Sequence, residues 1–427
     1  MDRKKRAVIV VCDSLRPDLV ASDTAPALAA LAERGTAFAG MRAVFPSVTR
    51  VSAASLATGC RPAHHGLCGN TVALDEGEGL LCLSVGPPGF RERLRRATGR
   101  TLLRPTLAEL LAGHGGAVIY SNVSPGAAYF HDPDGHGRVH HRAGSFGPGL
   151  VPQEPLPIAL GAAGDAAMTE RFCRDVLERE GPALAVLWLS EPDHTGHATP
   201  LGSPEHRAAI RAADRCVSRV LETVRGLDPR GEDVLFLICS DHGMETTARL
   251  IDAEARLVAA GLKESPDSSD VVVAPNGTAA LFYVADAAQG RVPALVRFLE
   301  NEDWVGACHH GEGLAQLGLP GATALKVAVA LRVDDSANPY GVEGCGDVVA
   351  SRIEPKDCRG LGQHGGTGRH ESRAFLAALG GGFAPGRSRH EPALVDLAPT
   401  VLHHLGLPAP AMDGKALQML PPTPAPL

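Results

Sequence analysis

At 427 residues and 44% apolar content, the chain is long enough for one large core with a smaller unit inserted in it. Its formal net charge of −7 and pI near 6.2 provide no global field for a nucleic-acid polymer or an anionic membrane, so any attraction for phosphate has to be local. Aromatics are only 4% while Ala, Gly and Leu abound, which argues against an all-β sandwich and for helices packed closely on a sheet.

The first apolar run, residues 7–12, has the length of a strand and stops at Asp13. It is far too short for a signal-peptide core or a membrane span, so the chain as given reads as cytoplasmic with no membrane partner. Residues 26–34 follow Thr24, carry Pro26 in the first turn and end at Gly35, which is helix start and stop chemistry. Residues 77–90 and 144–161 are rich in Gly and Pro and read as loops or lids. Helical spacing of Leu, Ala and Val recurs over residues 106–112, 166–180 and 205–225. Two more apolar runs, residues 183–189 and Val234–Cys239, also close on carboxylates, Glu191 and Asp193 after the first and Asp241 after the second.

Runs that are continuously apolar have both faces covered, as in a parallel sheet. Their carboxyl ends then converge on one edge, where open α/β sheets hold ligands. The expected class is therefore α/β: a doubly wound, mostly parallel central sheet flanked by helices, with residues 1–427 as a single domain. The block at about 246–356 reads differently, with strands over 278–284 and 325–333 and a helix over 292–301, and suggests a small inserted α+β cap above the site. From Pro408 the chain is Pro-rich and reads as a surface-wrapping or disordered end. The ten cysteines are scattered without CxxC pairs and read as small buried hydrophobes.

The chemistry concentrates in Phe45-Pro46-Ser47-Val48-Thr49-Arg50 and in the run from Leu56 through Thr58-Gly59, Pro62 and His65-Gly66 to Cys68-Gly69-Asn70. Thr49 lies between a strand-like approach and an Ala/Ser/Leu helix, so free N–H groups of a helix start would face an anion bound there. Four separated motifs add metal ligands: Asp13, Asp193 with His197, Asp241 with His242, and His364 in Gly362-Gln363-His364-Gly365-Gly366. Carboxylate plus imidazole without cysteine suits zinc or manganese in an open catalytic site, and seven ligands, counting Thr49, suffice for two ions. Each has a plainer alternative: Asp13 and Thr49 as helix caps, His65 as a turn-fixing residue, and His194 and the His pairs at 140–141, 309–310 and 403–404 as locally hydrogen-bonded groups. His370 follows His364 closely enough to support it.

Together these motifs resemble the alkaline phosphatase superfamily and, within it, the nucleotide pyrophosphatase/phosphodiesterase branch, from Val8 to about Leu407. The resemblance implies that Asp13, Thr49, Asp241 and His242 bind one zinc, that Asp193, His197 and His364 bind the other, and that Asn70 donates to a phosphoryl oxygen. It implies phosphoryl transfer to Thr49 followed by hydrolysis, with a small phosphate ester or phosphonate as substrate. Arg50 departs from the aromatic residue common beside the nucleophile and could grip a phosphate oxygen or a substrate carboxylate. The enzymatic rivals are a phosphonoacetate-hydrolase-like C–P hydrolase, disfavoured because no lysine lies between Lys5 and Lys263, and a promiscuous phosphomonoesterase. A metal-binding protein without turnover is the reading from a different class.

Overall fold

The computed structural model describes residues 4–321 and 323–420. Its ten-stranded sheet is centred on four parallel strands: β1 (Arg6–Cys12), β2 (Ala117–Ser121), β3 (Leu184–Leu189) and β4 (Val234–Cys239). They lie in the order β4, β1, β3, β2, with Cys12 level with Leu189 and Val11 with Cys239. The flanks are mixed: Arg138–His140 runs parallel beside β2, and Leu376–Leu379 runs antiparallel beside β4.

Both faces of β1 are buried, and successive residues alternate between two apolar clusters. Ala7, Ile9 and Val11 pack with Val51, Ala53 and Leu56 of helix α1 (Thr49–Thr58). Val8, Val10 and Cys12 pack with Ile210, Val217 and Leu221 of helix α2 (Pro204–Leu227). This is the period-two pattern of a strand covered on both sides, and it accounts for the continuous apolarity of the sequence. Of the ten residues of α1 only Arg50 escapes full burial, so the helix that opens on Thr49 is locked from all directions.

Several expected elements shift. The helix expected over 26–34 is a single α-turn, Pro26–Ala29, followed by a 3₁₀ stretch, Ala30–Glu33. Its opening N–H groups at Ala27 and Leu28 are capped by Asp214 of α2 and not by Thr24. The helix expected over 166–180 starts at Ala162 and widens from Phe172 to Glu180 into π-type turns. Residues 77–90 are not all loop: Leu80–Ser84 pairs with Thr71–Asp75, and Asp75 closes the hairpin by accepting the N–H groups of Gly77 and Gly79. Residues 144–161 likewise hold two short edge strands, Ser145–Gly147 and Val151–Gln153, which pair with each other. The Pro-rich end wraps the surface as far as Leu420: Asp413 accepts from the Arg61 N–H and contacts His64, and Leu417 is buried. Residues 421–427 of that stretch lie outside the described residues.

Between Glu245 and Gln363 the chain forms two four-stranded sheets apart from the main one. One comprises Val271–Asn276, Ala279–Val284, Leu325–Leu331 and Val305–His310, all antiparallel, with the helix Val292–Glu300 packed on it. The other ends with Gly362–Gln363, immediately before His364. Among the described residues no helix is long and apolar enough to cross a membrane.

Candidate active site

The parallel register of β1, β3 and β4 delivers Asp13, Asp193 and Asp241 to one edge of the sheet. Each carboxylate is held by a short polar contact. Asp13 Oδ2 accepts from Trp188 Nε1 at 3.1 Å and Asp241 Oδ1 from the Ser14 N–H at 3.2 Å. The Ser14 hydroxyl donates to Asp193 Oδ1 at 2.7 Å. Ser14 adopts φ 59°, a left-handed conformation unusual for a residue other than glycine, and that turn lets one residue brace two carboxylates. The second oxygens of Asp13 and Asp241, Oδ1 and Oδ2 respectively, are buried without a hydrogen-bond partner.

The three histidines are oriented alike. His197 Nδ1 lies 2.9 Å from the Gly362 carbonyl, His364 Nδ1 2.8 Å from that of Ser47, and His242 Nδ1 3.0 Å from that of Gly243. A carbonyl can only accept, so each Nδ1 carries the proton and each Nε2 is turned toward the carboxylates. His242 Nε2 is 3.0 Å from Asp241 Oδ2 and 3.7 Å from Asp13 Oδ1, while His197 and His364 Nε2 stand 3.4 and 3.6 Å from Asp193 Oδ1. Ligand atoms of Asp13, Asp241 and His242 lie within 4.8 Å of one another, and so do those of Asp193, His242 and His364. His242 thus borders both groups, and His197 adjoins the second through Asp193.

Electrostatics fit divalent cations. Among the described residues no Lys or Arg forms an ion pair with these carboxylates. Burial, with Asp241 and Asp193 close by, pushes the Asp13 carboxyl well above its usual range. Burial drives His364 well below the ordinary imidazole value, which keeps it a neutral lone-pair donor. Burial alone would lower His242 as well, but the Asp241 carboxylate against it more than offsets this and raises it. Unpartnered carboxylate oxygens facing Nε2 atoms whose tautomer is fixed from behind make a donor set that divalent metal satisfies.

Thr49 is the first residue of α1, and its Oγ1 is 3.2 Å from His242 Nε2. Asn70 Oδ1 accepts the Arg50 backbone N–H at 3.0 Å, which assigns that atom as the oxygen and leaves the amide NH₂ for the cavity that Asn70 lines. The Arg50 guanidinium is half-buried, and burial lowers its pKa. Its Nε donates to the Ser124 hydroxyl and its Nη1 to the Asn70 carbonyl, and it too lines the cavity.

Other histidines take the plainer roles. His65 is buried between the Ser55 hydroxyl and the Leu67 N–H. His370 does not support His364: its Nδ1 is 2.8 Å from Arg16, whose Nη1 donates to the carbonyls of Met244 and Glu343, so it belongs to a neighbouring network. The sequence reading missed three positioning residues. Besides Ser14, Asn276 Oδ1 accepts the N–H groups of Asn70 and Thr71 at 2.7 and 3.2 Å, and Glu371 accepts those of Gly366 and Gly368 in the His364 loop. The hairpin that presents Asn276 turns at Gly277, φ 67°, where a Cβ would stand 2.0 Å from the His364 carbonyl oxygen, so only glycine fits.

These residues open on a cavity of about 680 Å³. Lys356 lines it, with Nζ 2.7 Å from the His197 carbonyl, so the absence of lysine between Lys5 and Lys263 does not leave the site without one.

Comparison with known proteins agrees with this geometry. The family described as type I phosphodiesterase / nucleotide pyrophosphatase matches residues 7–315. A venom phosphodiesterase of Macrovipera lebetinus is 28% identical over 254 residues, which is 57% of this chain but only 25% of that longer protein. Among solved structures, murine ectonucleotide pyrophosphatase / phosphodiesterase 5, an inactive variant in complex with AMP, superposes with TM-score 0.70 at 16% identity over 97% of this chain and 98% of its own. The human counterpart gives 0.67 at 15% identity over 96% and 97%. At such identity these structures speak for the fold.

Proposed function

This chain belongs to the type I phosphodiesterase / nucleotide pyrophosphatase family, and from that premise we propose that it is a two-metal hydrolase that cleaves phosphate diesters or nucleotide pyrophosphates through a phosphothreonine at Thr49. The observation that carries the proposal is the position of the Thr49 hydroxyl. It lies at the start of a fully packed helix, 3.2 Å from His242 Nε2 and next to the carboxylates with unpartnered oxygens. Asp13, Asp193, His197, Asp241, His242 and His364, with Thr49 completing the set, would hold zinc or manganese, whose Lewis acidity would lower the hydroxyl pKa and screen the phosphoryl charge.

The chain's own groups do the rest. The Thr49 hydroxyl gives up its proton to solvent as Oγ1 forms the new bond to phosphorus and the bond from phosphorus to the leaving oxygen breaks, and the departing alkoxide or phosphate takes up a proton from solvent. Water then cleaves the phosphothreonine and restores the hydroxyl. The Asn70 NH₂ is available to a phosphoryl oxygen, and the positive end of α1 favours the anion throughout. Arg50, held by Ser124 and by Asn70 itself, supplies a cation on the substrate side. The family relatives make nucleotides one candidate substrate class. The cytoplasmic location expected from the sequence is part of the same proposal, open to fractionation of the native host.

The test is Thr49→Ala. Hydrolysis of bis-p-nitrophenyl phosphate should fall by more than about 10³-fold, the loss expected when a nucleophile is removed, while metal content stays close to wild type. Undiminished turnover in that variant would falsify the nucleophile assignment.

A further inference from the structure

The wall of the cavity away from the carboxylates is unusual for a site that would hold a nucleobase. None of the described residues lining it is Phe, Tyr or Trp; its only aromatic rings are His194, His197 and His364, and the last two belong to the proposed ligand set. Stacking on an aromatic face is the sequence-independent way to hold a base, and this wall does not offer one.

It offers cations instead. Arg50, Arg142 and Lys356 all line the cavity, and among the described residues none forms an ion pair with a carboxylate. Arg142 is half-buried and anchored through one nitrogen: Nη1 donates to the Asn122 carbonyl at 2.6 Å, to Asn122 Oδ1 at 3.0 Å and to the Val123 carbonyl at 3.0 Å. Nε and Nη2 have no such partner among the described residues. Arg50 is tied through Nε and Nη1, which leaves Nη2. Lys356 is exposed and spends one of three donors on the His197 carbonyl. The one carboxylate on this side, Glu354, is exposed and accepts from the Ser84 hydroxyl. A guanidinium fixed at one nitrogen and open at the others suits a planar or tetrahedral anion.

We infer that this wall is a second anion subsite, in which Arg142 and Lys356 bind a carboxylate or phosphate on the non-transferred part of the substrate, so that the preferred substrate is a compact, aliphatic, doubly anionic phosphate ester and not a nucleotide. The inference rests on the hydrolase reading above and narrows its substrate. Arg142 stands on the main sheet's loops and Lys356 at the end of the inserted block, so the subsite spans the two halves of the cavity.

The test compares four diesters that release the same p-nitrophenolate: ethyl, 2-carboxyethyl, 2-phosphooxyethyl and thymidine 5′ p-nitrophenyl phosphate, with zinc-loaded full-length protein. One or both of the esters with a second anionic group should exceed the ethyl ester in kcat/KM by about tenfold, the factor that one charge-assisted hydrogen bond provides. Which of them leads distinguishes carboxylate from phosphate. That ratio should fall toward one in Arg142→Gln and in Lys356→Met, the second being an exposed position that keeps the test alive if the first does not fold. Preference for the thymidine ester, parity of all four, or a ratio unmoved in a folded Lys356→Met protein and in Arg142→Gln overturns the inference while leaving the hydrolase reading intact. If none is hydrolysed the hydrolase reading fails, and calorimetric binding decides the subsite: 2-carboxyethyl or 2-phosphooxyethyl phosphate should bind Thr49→Ala protein about tenfold tighter than ethyl phosphate, and equal binding sinks it.

Discussion

The two sides of the cavity are held by different physics. On the sheet side Asp13, Asp193 and Asp241 follow parallel neighbours whose backbones are hydrogen-bonded in register and buried on both faces, so their positions are those of the core itself. On the inserted side the site depends on a single hairpin. Asn276 holds the backbone of Asn70, and Gly277 lets the turn close on His364, with the Thr278 N–H donating to the His364 carbonyl at 3.3 Å. The contrast teaches that the carboxylates and Asn70 can be lost separately, because the carboxylates are carried by the core, whereas Asn70, like the backbone of His364, leans on a docked hairpin.

The largest effect that separates them belongs to the sheet side. Asp241→Asn keeps the shape of a fully buried residue but removes the charge whose Oδ2 is unpartnered. Turnover should fall by about 10³-fold, roughly the several kcal/mol that Lewis-acid stabilisation is worth, and elemental analysis should show metal lost. Metal content equal to wild type would remove Asp241 from the ligand set.

Asn276→Ala tests the inserted side and should leave metal content alone. The Asn70 and Thr71 N–H groups lose their acceptor, at about 1–3 kcal/mol for buried donors left unpaired. As Asn70 loosens, kcat should drop by about 10- to 100-fold, the scale of a misplacement of about 1 Å. A variant that loses metal along with rate would show that the two sides are not separable in this way.

The same contrast explains what could be read from the sequence. Asp13, Asp193 and Asp241 were legible because each follows an apolar run, and parallel runs bring their ends together whatever the intervening chain does. Thr49 was singled out by a local helix start and Asn70 by its resemblance to a family motif, and the structure brings both to the same cavity. Asn276 was not, since its partner Asn70 is 206 residues away and its only local mark is the turn dipeptide Asn276-Gly277. Lys356 was hidden for the same reason: it reaches the cavity from the far end of the insert. Gly-rich composition concealed Leu80–Ser84, where the alternative signal was the apolar run Leu80-Leu81-Cys82-Leu83 between turn residues. The paired role of His242 escaped because contact with both ligand groups depends on a separation in space that spacing along the chain does not encode.

The smallest of these effects concerns stability across pH and comes from the join between the two sides. Burial raises the Glu371 carboxyl, although it accepts from the Thr278 hydroxyl and from the N–H groups of Gly366 and Gly368. Glu245 is buried near it, accepts the His370 N–H, and keeps Oε2 unpartnered. Burial, then repulsion from Glu371, raises Glu245 to about 8. Because its folded pKa lies above the unfolded value, its contribution to stability is complete below about 4.5 and is lost as pH rises through about 8. Thermal unfolding followed from pH 5 to 9 should show stability declining over that range by on the order of a few kcal/mol. Glu245→Gln, which cannot ionise, should flatten the decline while leaving metal content unchanged. A slope identical to wild type would mean that the alkaline loss arises elsewhere, and that the insert and the sheet are not joined through this carboxylate pair.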